Sequence, residues 1–239
     1  QVPGALPEEL SEVRRRAGDL LDRPAVSVKV VEAETQRSGE GVVASGSNQT
    51  TPGMTLMFAL LFGAQTGLGL HRARAAGTIA RLFAAPVPPI ALLLGTVLGN
   101  ALLLALQLTV MIAFGGLVLG VRWGNLLVIA FPAFAFAVMA ASFGAFNAAV
   151  TRSQAQLTSF SFLVVAVTSA LGGLWWPLEV TPVWMQRAAS ALPTYWGMQA
   201  FQTVMLRGGS ILDVLLPVAV LLGFAAAFLA VGSRAFTYD

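Results

Sequence analysis

The stretch LLVIAFPAFAFAVMAASFGAFNAAV, from Leu126 to Val150, carries no charge, and its only hydroxyl or amide side chains are Ser142 and Asn147. A bilayer core about 30 Å thick is spanned by roughly 20 apolar residues in a helix. The segment therefore reads as a transmembrane helix, with a kink expected at Pro132. Working outward, hydropathy gives further spans at about Met54–Leu70, Ile90–Val121, Leu157–Leu174 and Leu212–Val231. Another apolar stretch, Pro182–Leu206, is interrupted by Arg187 and Pro193 and followed by Arg207. It reads as short interfacial or re-entrant pieces within residues 177–208.

Composition agrees. Of the 239 residues 56 % are hydrophobic and only 10 % charged, against roughly 25 % charged in a soluble domain, and mean hydropathy is +0.77. Most of the charge lies in the first fifty residues; beyond them the acids are Glu179, Asp213 and Asp239. Those first residues read as a water-facing segment, with a helix from Pro7 to Asp22, a half-exposed strand from Ala25 to Ala33 and a Ser/Gly-rich linker over residues 37–52. The chain starts with Gln and has no signal sequence at its start, which suggests a fragment lacking its natural N-terminus.

Several chemistries are excluded. There is no cysteine, one histidine (His71) and one lysine (Lys29), and Lys29 is not in a GxxxxGK[ST] setting. Disulfide frameworks, zinc clusters, His-pair metal sites and a phosphate-binding loop of the chain's own all fall away. The net charge of +3 comes without a basic patch, so nucleic acid is not an expected partner. No Asp, Glu, Lys or His lies deep in an expected span, which argues against a secondary carrier and against an intramembrane hydrolase; no catalytic or metal residue is assigned.

Basic residues set the expected orientation. Arg72, Arg74, Arg81, Arg152 and Arg234 fall on one side, and Arg122, Arg187 and Arg207 on the other. This places residues 1–50 outside and the C-terminus in the cytoplasm. Trp123, Trp175, Trp176, Trp184 and Trp196 all fall on the outer side, as interfacial anchors should.

The inner loop His71–Pro89 is amphipathic as a helix. Ala75, Ile79, Leu82 and Phe83 share one face, His71, Arg74, Thr78 and Arg81 the other, and Pro86 begins the stop. Two readings fit this pattern: an interfacial helix whose arginines meet lipid phosphates, or a docking helix for a cytosolic partner. Beyond Pro177, Thr181 is expected to cap a helix with Pro182 at its first position, which would turn Trp184, Ala188 and Leu192 to one side. Within the spans, Thr96, Asn100 and Gln107 share a face of the second, and Thr158, Ser161 and Thr168 a face of the fourth. They either bond neighbouring helices or line a substrate path. Three GxxxG pairs, Gly63/Gly67, Gly95/Gly99 and Gly116/Gly120, match the two or three expected by chance, roughly, and are read as locating no interface.

Gly77-Thr78-Ile79-Ala80-Arg81-Leu82-Phe83-Ala84-Ala85-Pro86-Val87 resembles the Gly-Thr-hydrophobic-x-x-Leu-x-x-x-Pro element of type-2 ATP-binding-cassette permeases. Gly172-Gly173-Leu174-Trp175-Trp176-Pro177-Leu178-Glu179, followed by Thr181-Pro182-Val183-Trp184-Met185-Gln186 and Leu192-Pro193-Thr194-Tyr195-Trp196, is similar to that family's signature before its last span. Asn48-Gln49-Thr50-Thr51-Pro52-Gly53 resembles its entry into the second span. Together these cover roughly residues 48–231. Where family members often carry acids around the Gly-Thr element, this chain has Ala76 and Ala80.

The resemblance implies an all-α polytopic membrane protein, with five of the family's six spans present. Residues 1–52 would then be the remnant of an extracytoplasmic α/β domain, and residues 53–239 the transmembrane domain. Residues 71–86 would be the coupling helix, with Arg74, Gly77, Thr78, Ile79, Arg81, Leu82, Phe83 and Pro86 on a nucleotide-binding ATPase subunit. Trp175, Trp176, Pro177, Pro182, Trp184, Pro193, Tyr195 and Trp196 would form an outer re-entrant gate. ATP and Mg would be bound by the ATPase, not by this chain. A second permease, identical or paralogous, and membrane lipid complete the partners. The expected function is export of a drug- or lipid-like substrate across a bacterial plasma membrane; the alternatives are a non-transporting anchoring or assembly subunit and a secondary carrier.

Overall fold

The computed structural model describes residues 46–76 and 89–236. The helix and strand expected before residue 46, and the stretch from Gly77 through Pro86, lie outside the described residues. Every regular element among the described residues is helical: α1 (Gly46–Gln65), α2 (Gly67–Ala75), α3 (Pro89–Leu117), α4 (Leu126–Val150), α5 (Gln154–Leu171), a 3-10 turn (Leu178–Val180), α6 (Val183–Ala189), α7 (Pro193–Arg207) and α8 (Ile211–Phe236). Five stretches are long and apolar enough to cross a bilayer: Asn48–Ala73, Leu93–Leu117, Leu126–Val150, Gln154–Leu171 and Ile211–Ser233. The protein is an all-α, multi-pass membrane protein.

The boundaries differ from the hydropathy reading for local reasons. The first span runs 26 residues, from Asn48 to Ala73, because the buried Gln49 finds amide and carbonyl partners that hydropathy does not count. His71–Ala75 accordingly complete α2 as the continuation of this span. At Thr66 the helix tightens: Thr66 N–H and Oγ1 both donate to the Gly63 carbonyl, at 3.1 and 2.7 Å. The fourth span starts earlier than expected, at Gln154, where the Ser153 hydroxyl accepts from Gln156 N–H at 3.1 Å. It ends at Leu171 because the chain turns at Gly172–Gly173, with Gly173 at φ +80°. α4 opens on Asn125, whose side chain accepts from Leu127 N–H at 3.0 Å, and stays one helix through Pro132.

α4 is the centre of the bundle: α1, α2, α3, α5, α7 and α8 all pack on it. Some 67 % of its span is buried inside the molecule, against 22 % for α3, α5 and α8. In lipid the hydrophobic effect gives no preference for helix–helix over helix–lipid contact, so small residues and close approach decide the packing. Ala133, Ala137, Ala140, Ala141, Ala145 and Ala148 are the buried face of α4. At Gly144 a Cβ would overlap the Gly63 carbonyl oxygen and the Thr66 hydroxyl, and at Gly63 it would stand 2.6 Å from Ala140 Cβ. α1 and α4 therefore cross with backbones touching. Gly63/Gly67 mark an interface after all, one inside the chain, whereas Gly95 and Gly99 face open space.

α8 is held to α4 by aromatic rings. Phe228 lies 5.3 Å from Phe143 and 5.5 Å from Phe146, centroid to centroid, and Phe224 joins at 6.3 Å. α5 packs on α1 through a stripe four residues apart, Leu157, Ser161, Val165 and Ser169, and leaves Phe162, Leu163 and Val167 exposed. The two ends of the bundle differ in chemistry. One carries the tryptophans, the other His71 and the lead-in to residues 77–88.

Candidate functional site

At the tryptophan end, the chain leaving α5 lies directly on α1. A Cβ at Gly53 would overlap the Leu174 carbonyl oxygen, so glycine alone permits this approach. Gln49 Nε2 donates to the Gly173 carbonyl at 2.9 Å, and Gln49 Oε1 accepts from Gln202 Nε2 at 2.7 Å. Three segments, α1, the glycine turn and α7, are thus clasped by one buried amide. Thr194 Oγ1 adds a bond to the Thr168 carbonyl at 2.7 Å, tying α7 to α5. Removing a partner from such a buried pair costs about 1–3 kcal/mol.

The aromatic residues singled out in the sequence gather here. Trp175 Nε1 donates to Met57 Sδ at 3.1 Å, and its ring meets Trp176 edge-on at 5.8 Å. Tyr195 and Trp196 form a second edge-on pair at 5.3 Å, with Trp196 Nε1 donating to the Ser190 carbonyl at 2.8 Å. Pro193 opens α7 at its first turn and is buried. On α6, Met185 and Ala189 are buried while Trp184 is 65 % exposed and Ala188 lies on the same open side. The helix presents its indole outward, as an interfacial anchor does.

One local reading is corrected. Thr181 does not cap α6: its hydroxyl donates to the Leu178 carbonyl at 2.7 Å and closes the 3-10 turn after Pro177. Pro182 occupies the cap position without a side-chain bond, and the helix begins at Val183. A threonine hydroxyl serves whichever orphan group is nearer, and here that is the carbonyl behind it. The sequence reading also missed a polar cavity of ≈ 450 Å³ between the 3-10 turn, α6 and α7, lined by Glu179, Gln186, Arg187, Gln199, Gln202 and Arg207. Its signal was the Gln199/Gln202 pair, three residues apart on one helix face.

At the opposite end His71 connects α2 to α4. His71 Nε2 lies 3.1 Å from Thr151 Oγ1, whose own hydrogen goes to the Asn147 carbonyl at 2.7 Å. Thr151 therefore accepts and His71 Nε2–H donates. Arg74 lies in the last turn of α2; Gly77, Thr78, Ile79, Arg81, Leu82, Phe83 and Pro86 lie outside the described residues.

The polar residues of the spans separate into different roles. Ser161 is fully buried; Asn147 Nδ2 donates to its hydroxyl at 2.5 Å, and both lie 3.5 Å from the Ala64 carbonyl. This knot joins α1, α4 and α5, and its distances speak for packing. Thr168 bonds the Val164 carbonyl of its own helix at 2.7 Å, and exposed Thr158 bonds that of Gln154 at 3.0 Å. Thr96 is exposed, and Asn100 and Gln107 are half-buried on α3, away from the knot. Among the described residues no group of side chains could hold a metal ion. The hydrogen bonds and helix contacts run from His71, through α1 and α4, to the clasp beneath the tryptophans.

The sequence pattern of the family described as "ABC-2 type transporter" matches residues 27–206. The chain is similar to the "Linearmycin resistance permease protein LnrN" of Bacillus subtilis (strain 168), 28 % identical over 82 % of this chain and 51 % of that protein. It is also similar to the "ABC transporter G family member 20" of Dictyostelium discoideum, 28 % identical over 66 % of this chain and 22 % of that protein. The chain thus spans about half the length of the Bacillus relative and less of the other. No solved structure matches.

Proposed function

The chain belongs to the ABC-2 type transporter family, and from that premise we propose that it is the membrane-spanning permease of an ATP-driven exporter. A separate ATPase subunit binds ATP and Mg and docks on residues 71–86 through Arg81 and the apolar face of Ile79, Leu82 and Phe83. Two permeases, identical or paralogous, share the pathway. Closure of the ATPase pair moves the docked segment, and the connection from His71 to Thr151 passes the movement to α4. The clasped helices under Trp175 and Trp196 then act as the outer gate. A drug- or lipid-like cargo suits the charge-poor spans, and a relative named for linearmycin resistance supports that class.

The observation that carries this reading is the continuity of the first span, which runs from Asn48 in the turn before the Gln49 clasp to Ala73 beside residues 77–86. A ligand or partner shifts a two-state element only by contacting its states differently, and one span joining the two ends, α1 followed through the turn at Thr66 by α2, supplies such an element. Arg81→Glu combined with Phe83→Ala, in proteoliposomes holding the cognate ATPase, is expected to abolish substrate-stimulated ATP hydrolysis while membrane insertion persists. Unchanged stimulation would overturn the docking assignment.

A further inference from the structure

Trp123 is 4 % exposed, and its indole Nε1–H meets no acceptor in the protein. The ring is fixed on both sides. Its Cζ2 edge packs on Gly115, and Phe201 meets it edge-on at 6.2 Å. The Cδ1–Nε1 edge faces Gly116: a Cβ there would stand 3.4 and 3.5 Å from those two atoms. Gly116 and Trp123 both line a crevice of ≈ 580 Å³ between the tryptophan-end halves of α3 and α4. Its other walls are almost wholly apolar, Ile129, Ala130 and Phe134 among them. Thr109 is the exception, and its hydroxyl already donates to the Ala105 carbonyl at 2.8 Å.

A buried donor needs an acceptor, and the crevice limits what can bring one. A water there would have too few polar partners to be held, since a buried water makes about three hydrogen bonds. A helix from another copy has its carbonyls engaged in its own hydrogen bonds. Trp123 lies in the connection between the end of α3 at Leu117 and the start of α4 at Leu126. This is the end of two spans, the level of the membrane interface, where indoles collect and lipid ester groups lie.

We infer that this crevice binds an acyl chain of a membrane phospholipid, whose ester carbonyl accepts from Trp123 Nε1–H while the chain lies on α3 and α4. Exposed Leu126 and Phe134 at the lip give the chain its way in from the surrounding lipid. The site lies at the tryptophan end, away from His71, so it stands whether or not the docking assignment does.

The test uses the full chain, labelled with ¹⁵N-tryptophan, in nanodiscs of dioleoyl phosphatidylcholine and in nanodiscs of its diether analogue, which lacks the ester carbonyls. The Trp123 indole resonance is identified by its loss in Trp123→Phe. It is expected to shift upfield in the diether lipid, while Trp175 and Trp196, whose N–H groups go to Met57 Sδ and the Ser190 carbonyl, hold still. Ala130→Phe, which fills the crevice from its exposed lip, is expected to give the same shift in the diester lipid. A Trp123 resonance identical in both lipids would overturn the inference. So would one that follows the protein-to-lipid ratio, pointing to a second copy, or one in rapid exchange with water in both lipids.

Discussion

Single residues decide how closely the helices approach. Gly144 sits where any side chain would overlap the Gly63 carbonyl, so Gly144→Val is expected to destabilise the bundle by about 1–3 kcal/mol, read as a lowered unfolding temperature in detergent. Ser161→Ala tests the polar knot; it should lower stability by about 0.6 kcal/mol and leave substrate preference unchanged. A changed preference would instead place Ser161 in the pathway. The sequence reading grouped Thr158, Ser161 and Thr168 on one face, but only Ser161 of the three is buried. Helical spacing says which residues are neighbours on a helix, and the neighbouring helix decides which of them it covers. The Gly63/Gly67 crossing escaped for a related reason: its spacing is shared by Gly95/Gly99, which touch nothing.

At the scale of elements, the spans were legible because lipid demands long apolar helices; four were located to within four residues, and the first begins at Asn48, well before Met54. Two misplaced starts are those where polar side chains find partners, at Gln49 and at Ser153; two misplaced ends, Leu117 for Val121 and Leu171 for Leu174, come before glycines at positive φ, Gly120 and Gly173. The short helices α6 and α7 were legible from Pro193 and the tryptophans, but the polar cavity beside them was not, because the residues lining it come from three segments. Two expectations belong here. Loss of the His71–Thr151 bond in His71→Ala or Thr151→Val should lower the flux per ATP hydrolysed by about twofold to tenfold, the range of one neutral hydrogen bond, in proteoliposome assays. Gly53→Ala should lift the Leu174 turn from α1 and let a small polar dye leak through vesicles without ATP; tight vesicles would show that this contact does not seal the tryptophan end.

At the scale of the molecule, the described helices have two ends of different chemistry, joined through α4. α4, the most buried span, carries contacts from both ends: Thr151 receives His71 at one, and Phe136 packs against Gly197 of α7 toward the other. Family membership was legible from the Gly77–Pro86 and Gly172–Trp196 elements, since their order along the chain is itself informative. Cargo was not, because a charge-poor helix surface suits many amphipathic molecules.

The absence of cysteine gives the account its most direct test, since single cysteines can be introduced without a background. Lys29→Cys and Arg81→Cys, made separately and exposed to a membrane-impermeant maleimide in intact cells, report the side on which each segment lies. Lys29→Cys is expected to label from outside and Arg81→Cys only after the membrane is opened. Labelling of both positions from the same side would contradict it, because the arginine-bearing segment could not then face the subunit that hydrolyses ATP.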